Sequence, residues 1–167
     1  MSLTFLLGGA RSGKSSLATK LALEWGGPVT VIATAEARDE EMAERIRLHR
    51  EERPDGWTTI EEPVALDAAL TRVAPGDAVV LDCLSLWIAN LLERGEDVDS
   101  HNERALALAQ PRTLPTIVVS NEVGLGVVPA TELGRRYRDL LGRVNGRWAA
   151  AADDAAFVVA GRMLRLQ

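Results

Sequence analysis

Lys14 and Ser15 end the segment Gly8-Gly9-Ala10-Arg11-Ser12-Gly13-Lys14-Ser15, in which Gly8 is followed by four residues and then by Gly-Lys-Ser. This is the Walker A spacing, and the context is the one that pattern needs: an apolar run at 3–7 precedes it and a helix-forming stretch at 15–25 follows. The glycines let the backbone curl so that successive N–H groups point at phosphate oxygens, and the following helix turns its positive end to the same anion. Lys14 is expected to reach the β- and γ-phosphates of a nucleoside triphosphate, and Ser15 to place its hydroxyl on Mg2+. Arg11 adds a second cation beside the loop.

Further groups have types and positions suited to the same chemistry. Asp82 ends the apolar run at 78–81, where a Walker B carboxylate holds Mg2+ directly or through water. Glu122 follows the run at 116–120 and reads either as a second acidic group at a neighbouring strand end or as a solvated loop residue. His49 falls within a helical pattern at 39–53, on the face of Met42, Arg45, Ile46, Glu52 and Arg53. Flanking guanidinium groups offer an anion a docking point and favour the neutral, nucleophilic imidazole. By spacing alone, however, a single histidine on a helix defaults to a packed or solvated side chain. His101, beside Asp99, is assigned no chemistry.

The elements that must position these groups alternate. Apolar, often β-branched runs at 3–7, 29–33, 78–81, 116–120 and 155–160 are separated by helical patterns at 15–25, 39–53, 65–73, 84–93, 103–110 and 131–152. The alternation predicts a parallel α/β sheet, and the near-continuous apolar character of the runs predicts strands covered on both faces. Ligands in such sheets bind at the carboxyl ends of strands, where the phosphate loop, the segment after Ala33, Asp82 and Asn121-Glu122 all fall. One cleft is therefore expected to gather them.

Within the 39–53 pattern, Asp39, Glu40 and Glu41 crowd the first turn and Arg47, Arg50 and Arg53 the end, a polarity that complements the helix dipole; Pro54 stops it. Leu133, Tyr137, Leu140, Val144 and Trp148 make one stripe on the last helix, read as core packing with a subunit interface as the alternative. The segment 121–129 carries Gly124 and Gly126 and is expected to turn tightly or to act as a lid. The stretch 94–102 is the one linker-like segment.

At 167 residues and 47% hydrophobic, the chain suits a single domain, 1–167, that buries a core of its own. A net charge of -5 and a pI near 5.1 argue against a general nucleic-acid binder. Cys83 is the only cysteine, which leaves no intramolecular disulfide or cysteine zinc cluster and suits the cytoplasm. The apolar run at the start is too short to span a bilayer, so no membrane insertion is expected.

Taken together, these residues resemble the bifunctional adenosylcobinamide kinase/adenosylcobinamide-phosphate guanylyltransferase family of cobalamin biosynthesis. The resemblance rests on Gly8 to Ser15; on Ile32-Ala33-Thr34-Ala35; on Arg45-Ile46-Arg47-Leu48-His49-Arg50, continuing through Arg53-Pro54 and Trp57 to Glu61-Glu62-Pro63; and on Asn121-Glu122-Val123-Gly124-Leu125-Gly126-Val127-Val128-Pro129. Gly142-Arg143-Val144-Asn145 and the alanine run leading to Asp153 are similar as well. The helix with the histidine and the Asn-Glu-Val-Gly loop are far more specific than the phosphate loop.

The resemblance implies a P-loop NTPase-like, RecA-like fold with a mostly parallel sheet, and two reactions. In the first, ATP or GTP phosphorylates the hydroxyl on the aminopropanol arm of adenosylcobinamide. In the second, a histidine takes GMP from GTP and passes it to adenosylcobinamide phosphate, giving adenosylcobinamide-GDP. The guanylylated residue falls on His49, with Lys14 as the other catalytic group. Nucleotide contacts fall on Gly8, Gly9, Ala10, Arg11, Ser12, Gly13, Lys14, Ser15, Thr34, Ala35, Glu36, Arg50, Glu51, Glu52, Arg53, Glu61 and Asp82, with Mg2+ on Ser15 and Asp82. Arg45, Arg50 and Arg53 balance phosphate charge, and Glu61 has the chemistry to accept hydrogen bonds from guanine N1–H and its 2-amino group. Relatives often carry Glu in place of Asp82, and the family forms homotrimers. The rival readings are a P-loop small-molecule kinase without guanylyl transfer and a nucleotide-binding regulatory module.

Overall fold

A computed structural model describes residues 2–166. The elements run β1 (Leu3–Gly8), α1 (Lys14–Trp25), β2 (Val29–Ala33), α2 (Glu40–Glu51), β3 (Thr58–Glu61), α3 (Leu66–Thr71), β4 (Ala78–Asp82), α4 (Leu84–Glu93), α5 (Val98–Ala109), β5 (Thr116–Asn121), α6 (Glu132–Ala151), β6 (Asp154–Val159) and β7 (Arg162–Arg165). The strands form one sheet in the order β3-β2-β4-β5-β1-β6-β7, parallel except for β7, which runs antiparallel to β6. β5 separates the strand that feeds the phosphate loop from the strand that ends in Asp82, the expected RecA-like arrangement.

Both faces of the sheet are covered, which is why its central strands lack polar alternation. On one face Phe5, Ile32, Leu81 and Val118 pack with Leu66, Trp87, Ile88 and Trp148 from the helices after β3. On the other, Leu6, Val31, Val80 and Val119 pack with Ala18 and Ala22 of α1, with Trp57 and Leu86 at the margin. Each fully buried large side chain of this kind stabilises the fold by roughly 1.5–3 kcal/mol. The helix that carries His49 differs, because α2 has no buried residue. Its order comes from its ends: Asp39 caps it by accepting from the Met42 N–H at 2.7 Å, acidic residues occupy the first turn, and His49 and Arg50 the last.

Three expectations are corrected. The stretch 94–102 is not a linker throughout: α5 starts at Val98, capped by the Asp97 carboxylate, and buries Val98, Asn102, Ala105 and Ala109 on one face. The polar Asn102 belongs to that face because its side-chain oxygen accepts from Trp148 Nε1 at 2.7 Å. The apolar run at 155–160 ends one residue early, since Ala160 and Gly161 adopt positive φ and turn the chain into β7. The stripe on α6 is core only in part: Val144 and Trp148 are buried with Leu141, Tyr137 and Leu140 are half-buried, and Leu133 is exposed. β3 and β7 were outside the expected set; each is a four-residue edge strand with mostly exposed side chains.

Candidate functional site

The parallel register brings the carboxyl ends of five strands into one row. Ala33 stands opposite Asp82 on one side and Glu61 on the other, and Gly8 stands opposite Asn121. Backbone bonds continue each strand beyond its end: Thr34 N–H donates to Asp82 O at 3.1 Å, Glu62 N–H to Ala33 O at 3.0 Å, and Glu122 N–H to Gly8 O at 3.1 Å. Thr34 is fully buried, and its hydroxyl accepts from Cys83 N–H at 2.9 Å while donating to Cys83 O at 2.7 Å. That bridge sets the direction of the chain just after Asp82.

The phosphate loop is held against the sheet's far end. Gly161 N–H donates to Ser12 O at 2.8 Å, and Gly13 takes φ 92°, which glycine adopts without strain. Ser12 Oγ is buried without a hydrogen-bond partner. Lys14 Nζ donates to Gly9 O at 2.9 Å. Burial pushes the Lys14 ammonium below its ordinary value; the nearby Cys83 and Asp82 act in the opposite sense, and Arg45 reinforces the lowering.

A cleft of about 170 Å³ opens over the strand ends. Lys14 and Ser15 line it from α1, Ala33 and Ala35 from the end of β2, Met42, Arg45, Ile46, His49, Arg50 and Arg53 from the α2 region, Glu61 from β3, and Asp82 from β4. Cys83, Ser85, Leu86, Asn121 and Tyr137 complete it. A second cavity, of about 250 Å³, shares Ser15, His49, Arg53 and Asp82 with the cleft and continues between Thr19, Val31, Glu52, Trp57 and Val80. His49 therefore borders two spaces, and it also faces the groove along Ala10 to Ser16.

The expected residues separate into two groups. Gly13, Lys14, Ser15, Ala35, His49, Arg50, Glu52, Arg53, Glu61 and Asp82 border the cleft, the adjoining cavity or the groove, as do Ala10, Arg11 and Ser12. Gly8 and Gly9 form the loop's backbone, whereas Thr34 is enclosed below the surface. Glu36 is held by Arg38 at 2.7 Å and Arg94 at 2.6 Å, and Glu51 is paired with Arg47, so neither carboxylate lines the cleft. Glu122 accepts from the Gly124 N–H within its own loop.

Sequence reasoning gave no site role to Thr19, Cys83, Ser85, Leu86 or Tyr137. Tyr137 read as one member of an apolar stripe, yet its hydroxyl donates to Ser85 O at 3.1 Å and burial pushes its pKa up to about 12, a neutral phenol at the cleft wall. Its polar tip was the available signal, because a phenol on a core stripe must find a partner.

Comparisons with known proteins identify the chain's relatives. The family model described as cobinamide kinase / cobinamide phosphate guanyltransferase matches residues 4–166. The chain is 47% identical over 165 residues to the bifunctional adenosylcobalamin biosynthesis protein CobP of Pseudomonas aeruginosa, covering 97% of this chain and 95% of that protein. It is 40% identical over 170 residues to the bifunctional adenosylcobalamin biosynthesis protein CobU of Salmonella typhimurium, covering 92% and 93%. Among solved structures, the Pyrococcus horikoshii OT3 protein PH0250 superposes with a TM-score of 0.54 at 7% identity over 98% of this chain and 85% of its own, a likeness of fold alone.

Proposed function

Since this chain belongs to the cobinamide kinase / cobinamide phosphate guanyltransferase family, an enzyme family of adenosylcobalamin biosynthesis, we propose that one domain, 1–167, runs two phosphorus transfers in succession. In the first, the γ-phosphoryl group of ATP or GTP passes to the hydroxyl on the aminopropanol arm of adenosylcobinamide. In the second, His49 attacks the α-phosphorus of GTP, and the GMP it captures passes to adenosylcobinamide phosphate, giving adenosylcobinamide-GDP. The observation that carries this reading is the convergence of His49 with Lys14, Ser15 and Asp82 on one cleft.

The chain's own groups have distinct tasks in this scheme. The loop N–H groups and Lys14 bind the phosphates that leave with the electron pair, and their fixed dipoles favour charge as it develops there. Arg50 and Arg53 add positive charge at the cleft wall. His49 supplies a nucleophile that splits one transfer into two displacements. Glu61 reads guanine through its acceptor oxygens.

Ser15 and Asp82 offer one hydroxyl and one carboxylate at the same spot, and among the described residues there is no cluster of three or more metal-binding His, Cys, Asp or Glu side chains. Such a sparse donor set fits Mg2+, which keeps waters and takes phosphate oxygens to complete its shell. Bound there, Mg2+ would neutralise charge on the phosphates of the nucleotide. No helix among the described residues is long and apolar enough to cross a membrane, and the proposed setting is the cytoplasm, without nucleic acid as a partner. We assign a homotrimer; Leu125, Val127, Val128 and Leu133 are exposed, apolar surface that a subunit contact would cover.

The test is the intact mass of the purified protein after incubation with Mg2+ and GTP, followed by peptide mapping. One acid-labile guanylyl group on His49 is expected, and His49→Ala is expected to lose it while retaining kinase activity. A protein that binds GTP and phosphorylates adenosylcobinamide without gaining mass would be a simple kinase.

A further inference from the structure

Four arginines stand on or just after α2, and their partners divide them. Arg47 is engaged by Glu44 and Glu51 along the exposed face. Arg50 is paired with Glu61. Arg53, half-buried, donates to Thr59 Oγ1 at 3.0 Å and lines the cleft but not the groove beside the phosphate loop. The Arg45 side chain has no hydrogen bond or ion pair to any described residue, although it borders both the cleft and that groove.

Arg45 precedes His49 by four residues, so the two side chains are neighbours on one face of the helix. Its positive charge reaches Lys14 across the gap between α2 and α1, opposing the protonation of the ammonium. The groove's lining also holds Arg11 and the carboxylates Glu41, Glu44 and Glu52, of which Glu44 is engaged by Arg47; with none of them paired to Arg45 or Lys14, these two cations face one space and offer an anion a receptor. The groove they share runs along the loop from Ala10 to Ser16, where β- and γ-phosphates bind in Walker A proteins.

We infer that Arg45 is a catalytic residue of the guanylylation half-reaction, binding the pyrophosphate that departs from GTP. The inference rests on the guanylyl-histidine reading above. In that step a lone pair of the His49 imidazole forms the N–P bond to the α-phosphorus. The bond from the α-phosphorus to the α,β-bridging oxygen breaks, and its electron pair stays on that oxygen, so pyrophosphate leaves with one more negative charge than it carried as part of GTP. The proton on the second ring nitrogen stays in place as the bond forms and then passes to solvent. Arg45 meets the new charge one helical turn from the nucleophile, and Lys14 meets it from the loop.

This assignment separates the half-reactions. Pyrophosphate takes part when His49 is loaded and when the loading is reversed, but not when GMP passes to adenosylcobinamide phosphate. Arg45→Gln is exposed and lies on a helix without buried residues, so the fold is expected to hold, with the thermal midpoint as the check. Quenched-flow loading with labelled GTP, followed by desalting and challenge of the loaded protein, measures each step. Arg45→Gln should slow loading, and its reversal by pyrophosphate, by ~100-fold or more, the scale of removing one donor to a developing oxyanion. Arg45→Lys should recover part of that loss. Transfer from preloaded protein to adenosylcobinamide phosphate should stay within about 3-fold, a judgement based on the donor's absence from that transition state. Loading of Arg45→Gln at the parental rate, or equal slowing of loading and transfer, would overturn the role. A parent that never forms the adduct overturns the histidine reading itself, and this inference with it.

Discussion

Arg50 and Glu61 form an ion pair that joins the last turn of α2 to the carboxyl end of β3. Both side chains are about half exposed, so the pair contributes under ~1 kcal/mol to stability. Its consequence is positional: the pair ties the helix that carries His49 to the sheet while keeping the Glu61 carboxylate at the cleft wall. No other side chain among the described residues is paired with the Glu61 carboxylate.

On the proposed reading, the Glu61 carboxylate is the group that separates guanine from adenine. Guanine presents N1–H and a 2-amino group, whereas adenine presents an acceptor at N1 and no 2-amino group, so a carboxylate there favours GTP. Glu61→Gln is expected to weaken GTP binding by ~10-fold or more, the equivalent of one lost charge-assisted hydrogen bond, and ATP binding by less than ~2-fold. Arg50→Gln is the control, because it breaks the pair and leaves the carboxylate. Equal losses for both nucleotides, or an Arg50→Gln variant with the same loss for GTP, would assign Glu61 to holding α2 in place.

Lys14 is expected to make nucleotide binding pH-dependent. Burial lowers its pKa from the ordinary lysine value, and a triphosphate beside the ammonium raises it again. Below the lowered value Lys14 is protonated before and after binding, and no proton is exchanged. Between the lowered value and the raised one, GTP binding draws a proton from solvent. Titration calorimetry in alkaline buffers of different ionisation enthalpy should show that uptake, and Lys14→Gln should abolish it. The substitution should also cut kinase turnover by ~100–1000-fold. Because burial disfavours the charged form, removing the charge should leave the thermal midpoint unchanged or higher.

Asp82 and Ser15 predict how the enzyme depends on magnesium. If Mg2+ binds at these two residues as proposed, so few protein donors make its affinity depend strongly on the carboxylate. Asp82→Asn is expected to raise the Mg2+ concentration for half-maximal activity by ~10-fold or more, and Asp82→Glu to keep activity near the parental level, on the general sensitivity of metal sites to lost partners. Chelation of divalent ions should stop both the kinase reaction and the loading of His49 from GTP. Parental magnesium dependence in Asp82→Asn would remove the residue from the site.

The strands that build the site were legible because each ends an apolar run at a residue with chemistry: Gly8 in β1, Asp82 in β4, Asn121 in β5. Parallel pairing then aligns those ends, so the cleft follows from topology. The arginines around His49 were legible, but by spacing alone the histidine read as a packed or solvated side chain; its proposed role came from the family resemblance, and the arginines' division of labour was not legible at all. Whether Arg50 meets Glu61 depends on β3, an edge strand of four residues with three exposed, too short and polar to announce itself. Asn102 and Trp148 show a second limit. A buried amide bonded to an indole N–H from a helix far along the chain is a tertiary fact, and residue types alone place the asparagine in a loop.

Gly8 and Val158 define the tightest constraint on the phosphate loop. A methyl group on Gly8 would lie 2.5 Å from Val158 O and 2.7 Å from Ser12 Oγ. The serine hydroxyl is a short side chain that can rotate, but Val158 lies in β6, whose backbone pairs with β1 at this position. Relief must come from shifting the strand or the start of the loop, and either displaces the N–H groups that cradle phosphate. Gly8→Ala is expected to lower stability by ~1–3 kcal/mol, the usual cost of overpacking, and to weaken GTP binding further than that loss accounts for. Denaturant unfolding and nucleotide titration of the same preparation separate the two effects. A variant with parental GTP affinity would mean that the loop tolerates displacement and that the close approach of β1 to β6 serves packing alone.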